Sequence, residues 1–378
     1  MRILWVGVPP WWPTGYGQQA AYFAPRLRDA GHEVILSAVA GADGGNPSER
    51  HWDGIEVLPS PHQAHAGPLV LADRIQRIQP DLIITLCDLW NMPVPGLFRE
   101  VRTLAWVAGD THKLSAGDAR FLQESGARPI AMSRHMQRIL EEAGYDAPYV
   151  PHGIDTTVFV PPEDRHAVRQ ELDLEPDSFA VGILGRNIDP HRKALPNQLY
   201  AFARYLRRNP RAVLFLHTMM FEPGSTDLGA VCRDLGLKWP SVRVSHQPAL
   251  FTNEFPQDML VKWYGALDVL MNCSRGEGFG LATVEAQACG TPAILSDNTT
   301  GPELVGPGWL VKCDPFWREA HEAWWATPLA SGMVDRLGQA ASVKDVAGKR
   351  AAARSFAQGF DVEAVWPLFE KAVEELSQ

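Results

Sequence analysis

Short aliphatic runs alternate with helix-like segments along the whole chain of 378 residues. Parallel strands that are buried on both faces have such apolar runs, and crossover helices occupy the segments between them. The pattern therefore predicts an α/β protein with two doubly wound, Rossmann-like domains. The expected strands cover residues 2–8, 33–39, 54–59, 81–87, 103–108 and 128–132 in the first half, and residues 179–185, 212–218, 242–247, 267–273, 292–297 and 308–313 in the second.

A proline-rich segment separates the two series of strands. Residues 150–166 contain three prolines and show little helical periodicity, which is typical of a linker. We predict an N-terminal domain over residues 1–150, a hinge over 151–166 and a C-terminal domain over 167–355. Residues 356–378 are expected to form a terminal helix that is long enough to cross back to the first domain.

Composition excludes several classes of protein. The five cysteines form no C-x-x-C pair, so neither a disulfide framework nor a structural zinc site is expected, and a cytoplasmic location is predicted. A net charge of -9 disfavours a polyanionic partner. No apolar stretch approaches the ~18 residues of a membrane-spanning helix, whereas peripheral contact with a membrane stays open.

Two glutamates flank a glycine-rich segment, SRGEGFG, that follows a predicted strand. A helix is expected to begin near Leu281, and the free N–H groups of its first turn suit a phosphate. Because Gly278 and Gly280 have no side chain, they would let the phosphate approach the backbone closely. Carboxylates beside a phosphate would repel it, so Glu277 and Glu285 are expected to face one cavity and accept hydrogen bonds from sugar hydroxyls. The alternative is a solvated loop acid and a favourable charge in the first helical turn.

The segment EGFGLATVEAQACGTP, residues 277–292, resembles the E-x7-E motif of the family 4 glycosyltransferases of the GT-B fold. PHGIDTTVF (151–159) is similar to the hinge of that family, GRNIDPHRK (185–193) to its donor loop, and TGPELVG (300–306) to a distal turn. The resemblance implies two Rossmann-like domains that face each other across a cleft. The C-terminal domain would bind a nucleotide diphosphate-sugar, and the N-terminal domain would bind the acceptor.

The resemblance also implies roles for particular residues. Glu285 would bind the ribose and Glu277 the transferred hexose, while Arg186 and Lys193 would neutralise the leaving diphosphate, with Arg192 as a substitute for the lysine. The resemblance implies a UDP- or GDP-linked co-substrate. Fixed cations favour an anionic leaving group, so we expect neither a metal nor another cofactor. The backbone that would hold the donor comprises Gly278, Phe279, Gly280, Leu281 and Thr283.

The N-terminal half contributes further candidates. Gly15 and Gly17 in PTGYGQQA fit a dinucleotide fingerprint poorly, because they stand far from the strand and no acid closes strand 33–39. The resemblance implies instead a glycine loop that faces the donor diphosphate. It also makes His112 a candidate near the transferred sugar and Asp110 a weaker one. The aromatic candidates for acceptor stacking, for which packing is the alternative, are Trp11, Trp12 and Trp90.

The function implied by the resemblance is transfer of a hexose to an acceptor hydroxyl with retention of anomeric configuration. A nucleotide-sugar 2-epimerase of the same fold and a non-catalytic sugar-nucleotide-binding protein remain alternatives. The sequence leaves the acceptor open among a glycan, a lipid, a small molecule and a modified nucleobase. Trp324 and Trp325 are expected to pack between the domains.

Overall fold

A computed structural model describes residues 1–39, 51–59, 68–92, 94–189, 191–319 and 322–376. The chain forms two compact units, one built from residues 1–153 and the C-terminal segment that begins at Val362, the other from residues 154–319 and 323–361. Each unit has a parallel sheet with an apolar core. The predicted α/β class with two Rossmann-like domains is confirmed.

The first unit contains a sheet of seven strands. They are β1 (Arg2–Gly7), β2 (Glu33–Ala38), β3 (His51–Trp52), β4 (Ile55–Leu58), β5 (Leu82–Leu86), β6 (Arg102–Val107) and β7 (Arg128–Ala131). Their order is β3-β4-β2-β1-β5-β6-β7, and all neighbours are parallel except β3 and β4. The helices that follow these strands are α1 (Gly15–Asp29), α2 (Pro68–Ile78), α3 (Ala116–Ser125) and α4 (Arg134–Glu142).

The second unit contains a sheet of six parallel strands and a separate hairpin. The sheet strands are β8 (Phe179–Leu184), β9 (Ala212–His217), β10 (Val242–Val244), β11 (Val269–Asn272), β12 (Ala293–Ser296) and β13 (Trp309–Val311), in the order β10-β9-β8-β11-β12-β13. The hairpin pairs β14 (Cys313–Arg318) with β15 (Ala323–Pro328) in antiparallel fashion.

Nine helices are described in the second unit. They are α5 (Arg165–Glu171), α6 (Leu195–Leu206), α7 (Leu228–Asp234), α8 (Gln247–Phe251), α9 (Gln257–Ala266), α10 (Leu281–Ala288), α11 (Gly301–Leu304), α12 (Ala330–Ala341) and α13 (Val346–Ala357). The described helices include none that is long and apolar enough to cross a membrane.

The last helix, α14 (Val362–Glu375), belongs to the first unit. Its Phe369 is fully buried, and the ring lies 4.9 Å from that of Phe23 and 5.0 Å from that of Trp106, measured between centroids. Trp5 of β1 contacts the same ring at 5.9 Å. The C-terminal end of the chain therefore completes an aromatic core that begins at the first strand.

Two strand predictions differ from the structure. The strand expected over 242–247 ends at Val244, because the next residues bend and His246 caps α8 by accepting a hydrogen bond from the Ala249 N–H at 3.3 Å. The strand expected over 308–313 is β13 alone, and Cys313 already begins the hairpin.

Each sheet has one point from which successive strands are added outward in opposite directions. In the second unit β8 lies between β9 and β11, so the connections that leave β8 and β11 diverge at the carboxyl edge of the sheet. Ligands of open α/β sheets bind at such topological switch points. In the first unit the corresponding point lies between β1 and β5.

Candidate active site

The loop after β8 is bent by Asp189. Its carboxylate oxygen Oδ1 accepts hydrogen bonds from the backbone N–H of His191 at 2.8 Å and of Arg192 at 3.1 Å. Burial would raise the pKa of Asp189, but these bonds and the nearby Arg318 hold it below its usual value. The bend brings Arg192 and Lys193 to the switch point just before α6 begins.

Glu277, in the loop after β11, is the partner of both cations. Lys193 Nζ lies 2.5 Å from Glu277 Oε2, and Arg192 Nη1 lies 3.4 Å from Oε1. Ser274 also donates to Oε2, at 3.2 Å. Burial raises the pKa of Glu277, yet the two cations and the hydrogen bonds outweigh it and lower the pKa below its usual value. Glu277 is therefore an ionised carboxylate, with a side chain that is 20% exposed.

Arg275 joins the two loops at the switch point. Its backbone N–H donates to the Arg192 carbonyl at 2.8 Å, and its guanidinium donates to the His191 carbonyl at 2.8 Å. The same guanidinium donates to Thr327 Oγ1 on β15 at 3.0 Å. The loops that carry Lys193 and Glu277 are thus held in one arrangement by a residue that motif comparison did not select.

Helix α10 begins at Leu281, four residues after Glu277, and no side chain of the described residues caps its N-terminus. The N-cap residue is Gly280, whose φ of 114° is open to glycine and strained for other residues. A serine or threonine at an N-cap would consume an N–H group of the first turn. Phe279 is buried, Gly278 is partly exposed, and the Thr283 N–H already donates to the Gly280 carbonyl at 2.9 Å. The uncapped first turn suits an anionic ligand.

Glu285 lies in a different environment from Glu277. It is 8% exposed and accepts a hydrogen bond of 2.9 Å from the hydroxyl of Tyr264 on α9. Burial and the charge of Glu285 raise the pKa of Tyr264 well above its usual value, so the tyrosine is a neutral donor. Tyr264 is not identifiable as a site residue from its local sequence, because an aromatic residue in an apolar helical pattern predicts core packing.

The two acids contact different neighbours, and the expectation that both face one cavity stays a prediction. Glu277 and Thr283 line a small pocket with Asn272 and Thr299, and Glu285 is not among its lining residues. Thr283 and Glu285 are two positions apart on a helix of 3.6 residues per turn, so their side chains point in nearly opposite directions. The Glu285 side chain instead points towards α9.

Arg186 differs from the other two predicted cations. Arg186 is exposed, and its side chain forms no ion pair or hydrogen bond with another described residue. Lys193 is 12% exposed and Arg192 27% exposed in their side chains. The structure therefore brings Arg192, Lys193 and Glu277 together and leaves Arg186 in solvent on the same loop.

In the first unit, Gly15 and Gly17 lie in the first turn of α1. The Gly17 N–H donates to the Thr14 hydroxyl at 3.1 Å, so this N-terminus is capped, unlike that of α10. A Cβ at Gly17 would overlap the Trp12 carbonyl oxygen and lie 2.9 Å from that of Pro9. The glycine is thus required for packing of the preceding loop, whatever it binds.

The aromatic candidates of the first unit differ in exposure. Trp11 and Trp12 are partly buried, and the buried indole N–H of Trp11 finds no hydrogen-bond partner among the described residues. Trp90, in contrast, is 52% exposed. Gly117 of α3 lies so close to it that a Cβ there would come within 2.6 Å of Trp90 Cβ.

Acidic side chains follow the carboxyl ends of β5 and β6. Asp118 is buried in the first turn of α3 and accepts a hydrogen bond of 2.7 Å from Ser115 Oγ. Burial raises its pKa to about 6 despite that bond, and the charges of Asp88 and Asp110 contribute to the rise. His112 is exposed, with its ring 6.3 Å from that of His135.

The fold places the chain in a recognised class. Sucrose-phosphate synthase from Thermosynechococcus elongatus has a TM-score of 0.75, with 18% identity over 100% of this chain and 99% of that one. Anabaena Alr3699/HepE, solved in complex with UDP-glucose, also has a TM-score of 0.75, with 20% identity over 99% and 100% of the two chains. Two Rossmann-like units with a site at a switch point define a protein of the GT-B fold.

The second unit is also similar in sequence to known glycosyltransferases. Residues 179–320 match the family model "Glycosyl transferases group 1". A D-inositol 3-phosphate glycosyltransferase of Nocardia farcinica is 29% identical over 66% of this chain and 55% of its own length, and that of Frankia alni is 31% identical over 56% and 53%. The chain has the GT-B fold and is similar to these glycosyltransferases in sequence, and it spans about half the length of the curated relatives it matches.

Proposed function

We propose that the protein transfers a hexose from a nucleotide diphosphate-sugar to an acceptor hydroxyl, with retention of anomeric configuration. The observation that carries this proposal is the pairing of Lys193 with Glu277 beside the uncapped start of α10. Cations and free N–H groups suit a diphosphate, while an ionised carboxylate in the same place suits sugar hydroxyls. A sugar nucleotide carries both kinds of group.

In the proposed reaction the bond between the anomeric carbon and the diphosphate oxygen breaks, and the acceptor oxygen forms a new bond to that carbon on the same face. The acceptor proton passes to the departing phosphate. Lys193 and Arg192 stabilise the negative charge that develops on the diphosphate, with Arg186 available from the same loop. Glu277 orients the hexose through its hydroxyls.

The nucleotide is proposed to bind through Glu285. A carboxylate that accepts hydrogen bonds from the ribose hydroxyls needs a fixed orientation, and the Tyr264 hydroxyl at 2.9 Å supplies it. The fixed cations are proposed to replace a divalent metal, so activity is expected to survive EDTA. Complete loss on chelation, with recovery on addition of manganese, would contradict this part of the proposal.

A donor screen tests the proposal directly. The full chain is incubated with UDP-glucose and GDP-mannose, and nucleotide release is measured with and without candidate acceptors. UDP-glucose is a rational first donor because it is bound in the Anabaena neighbour, and inositol phosphate is a rational small acceptor because of the names of the relatives. NMR of the product gives the anomeric configuration.

The products separate the proposal from its alternatives. A glycosylated acceptor with a retained anomeric bond supports a retaining transferase, and an epimerised sugar nucleotide identifies a 2-epimerase. Nucleotide-sugar binding with no product from any donor indicates a non-catalytic binding protein.

A further inference from the structure

The β14–β15 hairpin carries two tryptophans on its exposed face. Trp317 and Trp324 are directly paired across the strands, with ring centroids 5.3 Å apart and an interplanar angle of 69°. They are 39% and 49% exposed. Pro315, which shares this face by strand alternation, is also exposed.

The opposite face anchors the hairpin to the candidate active site. Trp325 is fully buried beneath Arg318, whose guanidinium lies 5.2 Å from the ring centroid. Arg318 also pairs with Asp189 at 3.6 Å, and the Arg275 guanidinium lies 4.8 Å from the centroid of Phe316. Both loops at the switch point are thus bound to the inner face of the hairpin.

The backbone reinforces this connection. The Ala326 N–H donates to the Arg275 carbonyl at 3.1 Å, next to the bond between Arg275 and Thr327. The hairpin is therefore a fixed part of the site, and its inner face supplies the anchoring contacts. The two outer tryptophans add exposed apolar surface beside the donor loops, where exposed aromatic groups indicate a binding function.

We propose that the outer face of the β14–β15 hairpin is a saccharide-binding subsite and that the acceptor is a neutral oligosaccharide. The C–H face of a sugar ring packs against the face of an aromatic ring, and the exposed carboxylate of Glu319, just beyond the end of β14, can accept hydroxyl hydrogen bonds. This acid disfavours an anionic lipid surface. This inference rests on the proposed transfer function.

Binding of defined oligosaccharides tests the subsite. Calorimetry with maltohexaose, cellohexaose and chitohexaose is carried out on the full chain and on its Trp317→Ala and Trp324→Ala variants, in the presence of UDP. We expect at least one of these sugars to bind, and each substitution to weaken binding about ten-fold, as for loss of one aromatic contact. Phe251→Ala removes an aromatic side chain that is 76% exposed on α8 and should leave oligosaccharide affinity unchanged.

A second set of variants separates binding from hairpin stability, because a cross-strand aromatic pair also stabilises a hairpin. Trp317→Tyr with Trp324→Tyr retains the rings and should restore binding, whereas Trp317→Val with Trp324→Thr retains strand propensity and should not. UDP affinity in each variant reports whether the donor loops remain folded. Recovery of oligosaccharide binding by the Val/Thr variant would overturn the proposal.

The outcomes distinguish this inference from the proposed function. If the unaltered protein binds none of the three sugars, or if the alanine variants bind them equally well, the subsite is refuted even where nucleotide is released from a donor. If binding depends on both tryptophans but no donor releases nucleotide, the transfer function is refuted while the saccharide site stands.

Discussion

Lys193 Nζ lies 2.5 Å from Glu277 Oε2, and this ion pair joins the loops that follow β8 and β11. The side chain proposed to stabilise the leaving diphosphate therefore also sets the charge of the side chain proposed to hold the hexose. Since Lys193 lowers the pKa of Glu277, loss of the lysine should raise that pKa. Each partner can be tested through its effect on the other.

Lys193→Ala should slow donor turnover by a factor on the order of 10²–10³, because a fixed cation is lost where negative charge develops. Affinity for nucleoside diphosphate should change less. The acid limb of the rate profile should also move to higher pH, because Glu277 without the lysine is easier to protonate. Rates of nucleotide release across the pH range measure both effects.

The control for this variant is Lys262→Ala. Lys262 also pairs with a glutamate, Glu171 at 2.6 Å, but its carboxylate partner is half-exposed and lies on α5, outside the loops that follow β8 and β11. Its removal should leave turnover unchanged. An unaltered rate in the double variant Arg192→Ala with Lys193→Ala would show that the donor loop has another function.

Tyr264→Phe should weaken nucleotide binding while leaving the shape of the helix packing intact. The substitution removes the 2.9 Å hydrogen bond to Glu285, and a bond to a charged group contributes about 1.5–3 kcal/mol. We expect a similar loss of affinity for UDP and for UDP-glucose, measured by calorimetry. Tyr200→Phe, at a position that is 46% exposed, is the control. Full nucleotide affinity in Tyr264→Phe would argue that Glu285 needs no such orientation.

Gly17→Ala should destabilise the first unit, since the new methyl group would overlap the Trp12 carbonyl oxygen. The Trp12 carbonyl is part of the backbone and cannot move aside as the end of a flexible side chain can. We therefore expect a loss of about 1–3 kcal/mol in the free energy of unfolding. Gly96→Ala is the control, because no heavy atom of the described residues, apart from its chain neighbours, lies within 4 Å of a Cβ built there. Equal stability of the two variants in urea unfolding would contradict the steric reason for Gly17.

Asp118→Asn tests a buried carboxyl by its pH dependence. Burial raises the pKa of Asp118 to about 6 from 3.8, so the folded state holds its proton over this range while the unfolded state releases it. The contribution of Asp118 to stability should therefore fall as pH rises from about 4 to 6, by at most about 3 kcal/mol.

The asparagine variant should lose less stability over that interval, since the side chain at position 118 no longer titrates. Its amide oxygen can still accept a hydrogen bond from Ser115. Asp146→Asn, with a side chain that is 96% exposed, should follow the unaltered protein. Parallel pH profiles for Asp118→Asn and the unaltered protein would indicate that the carboxyl is ionised throughout.

Apolar periodicity was sufficient to predict the parallel sheets. Strands such as β8 and β11 are buried on both faces, so their sequences are continuous apolar runs. The β14–β15 hairpin was not predicted, because CDPFWR and AWWATP mix charge, proline and aromatic residues without a clear alternation. Its inner face is fixed by contacts of Arg318 and Phe316 with distant loops, which local sequence cannot show.

The charged residues of the candidate site were identifiable from the sequence, whereas the residues that hold them in position were not. The motif around Glu277 and the loop of Lys193 were each identifiable, but their direct pairing depends on strand order. Tyr264 and Arg275 carry no motif, because their roles arise from tertiary contacts with Glu285 and with the Arg192 backbone. The opposite directions of Thr283 and Glu285 follow from helical geometry and could have been derived from the sequence.

In the proposed function, one acid of the motif binds the nucleotide and the other binds the transferred sugar. Calorimetry of Glu277→Gln and Glu285→Gln with UDP and with UDP-glucose tests it most directly, because UDP carries the ribose but no hexose. Glu285→Gln should weaken both ligands by similar factors, whereas Glu277→Gln should weaken UDP-glucose and leave UDP nearly unchanged. Equal effects of the two substitutions on both ligands, or no effect of either, would contradict the claim.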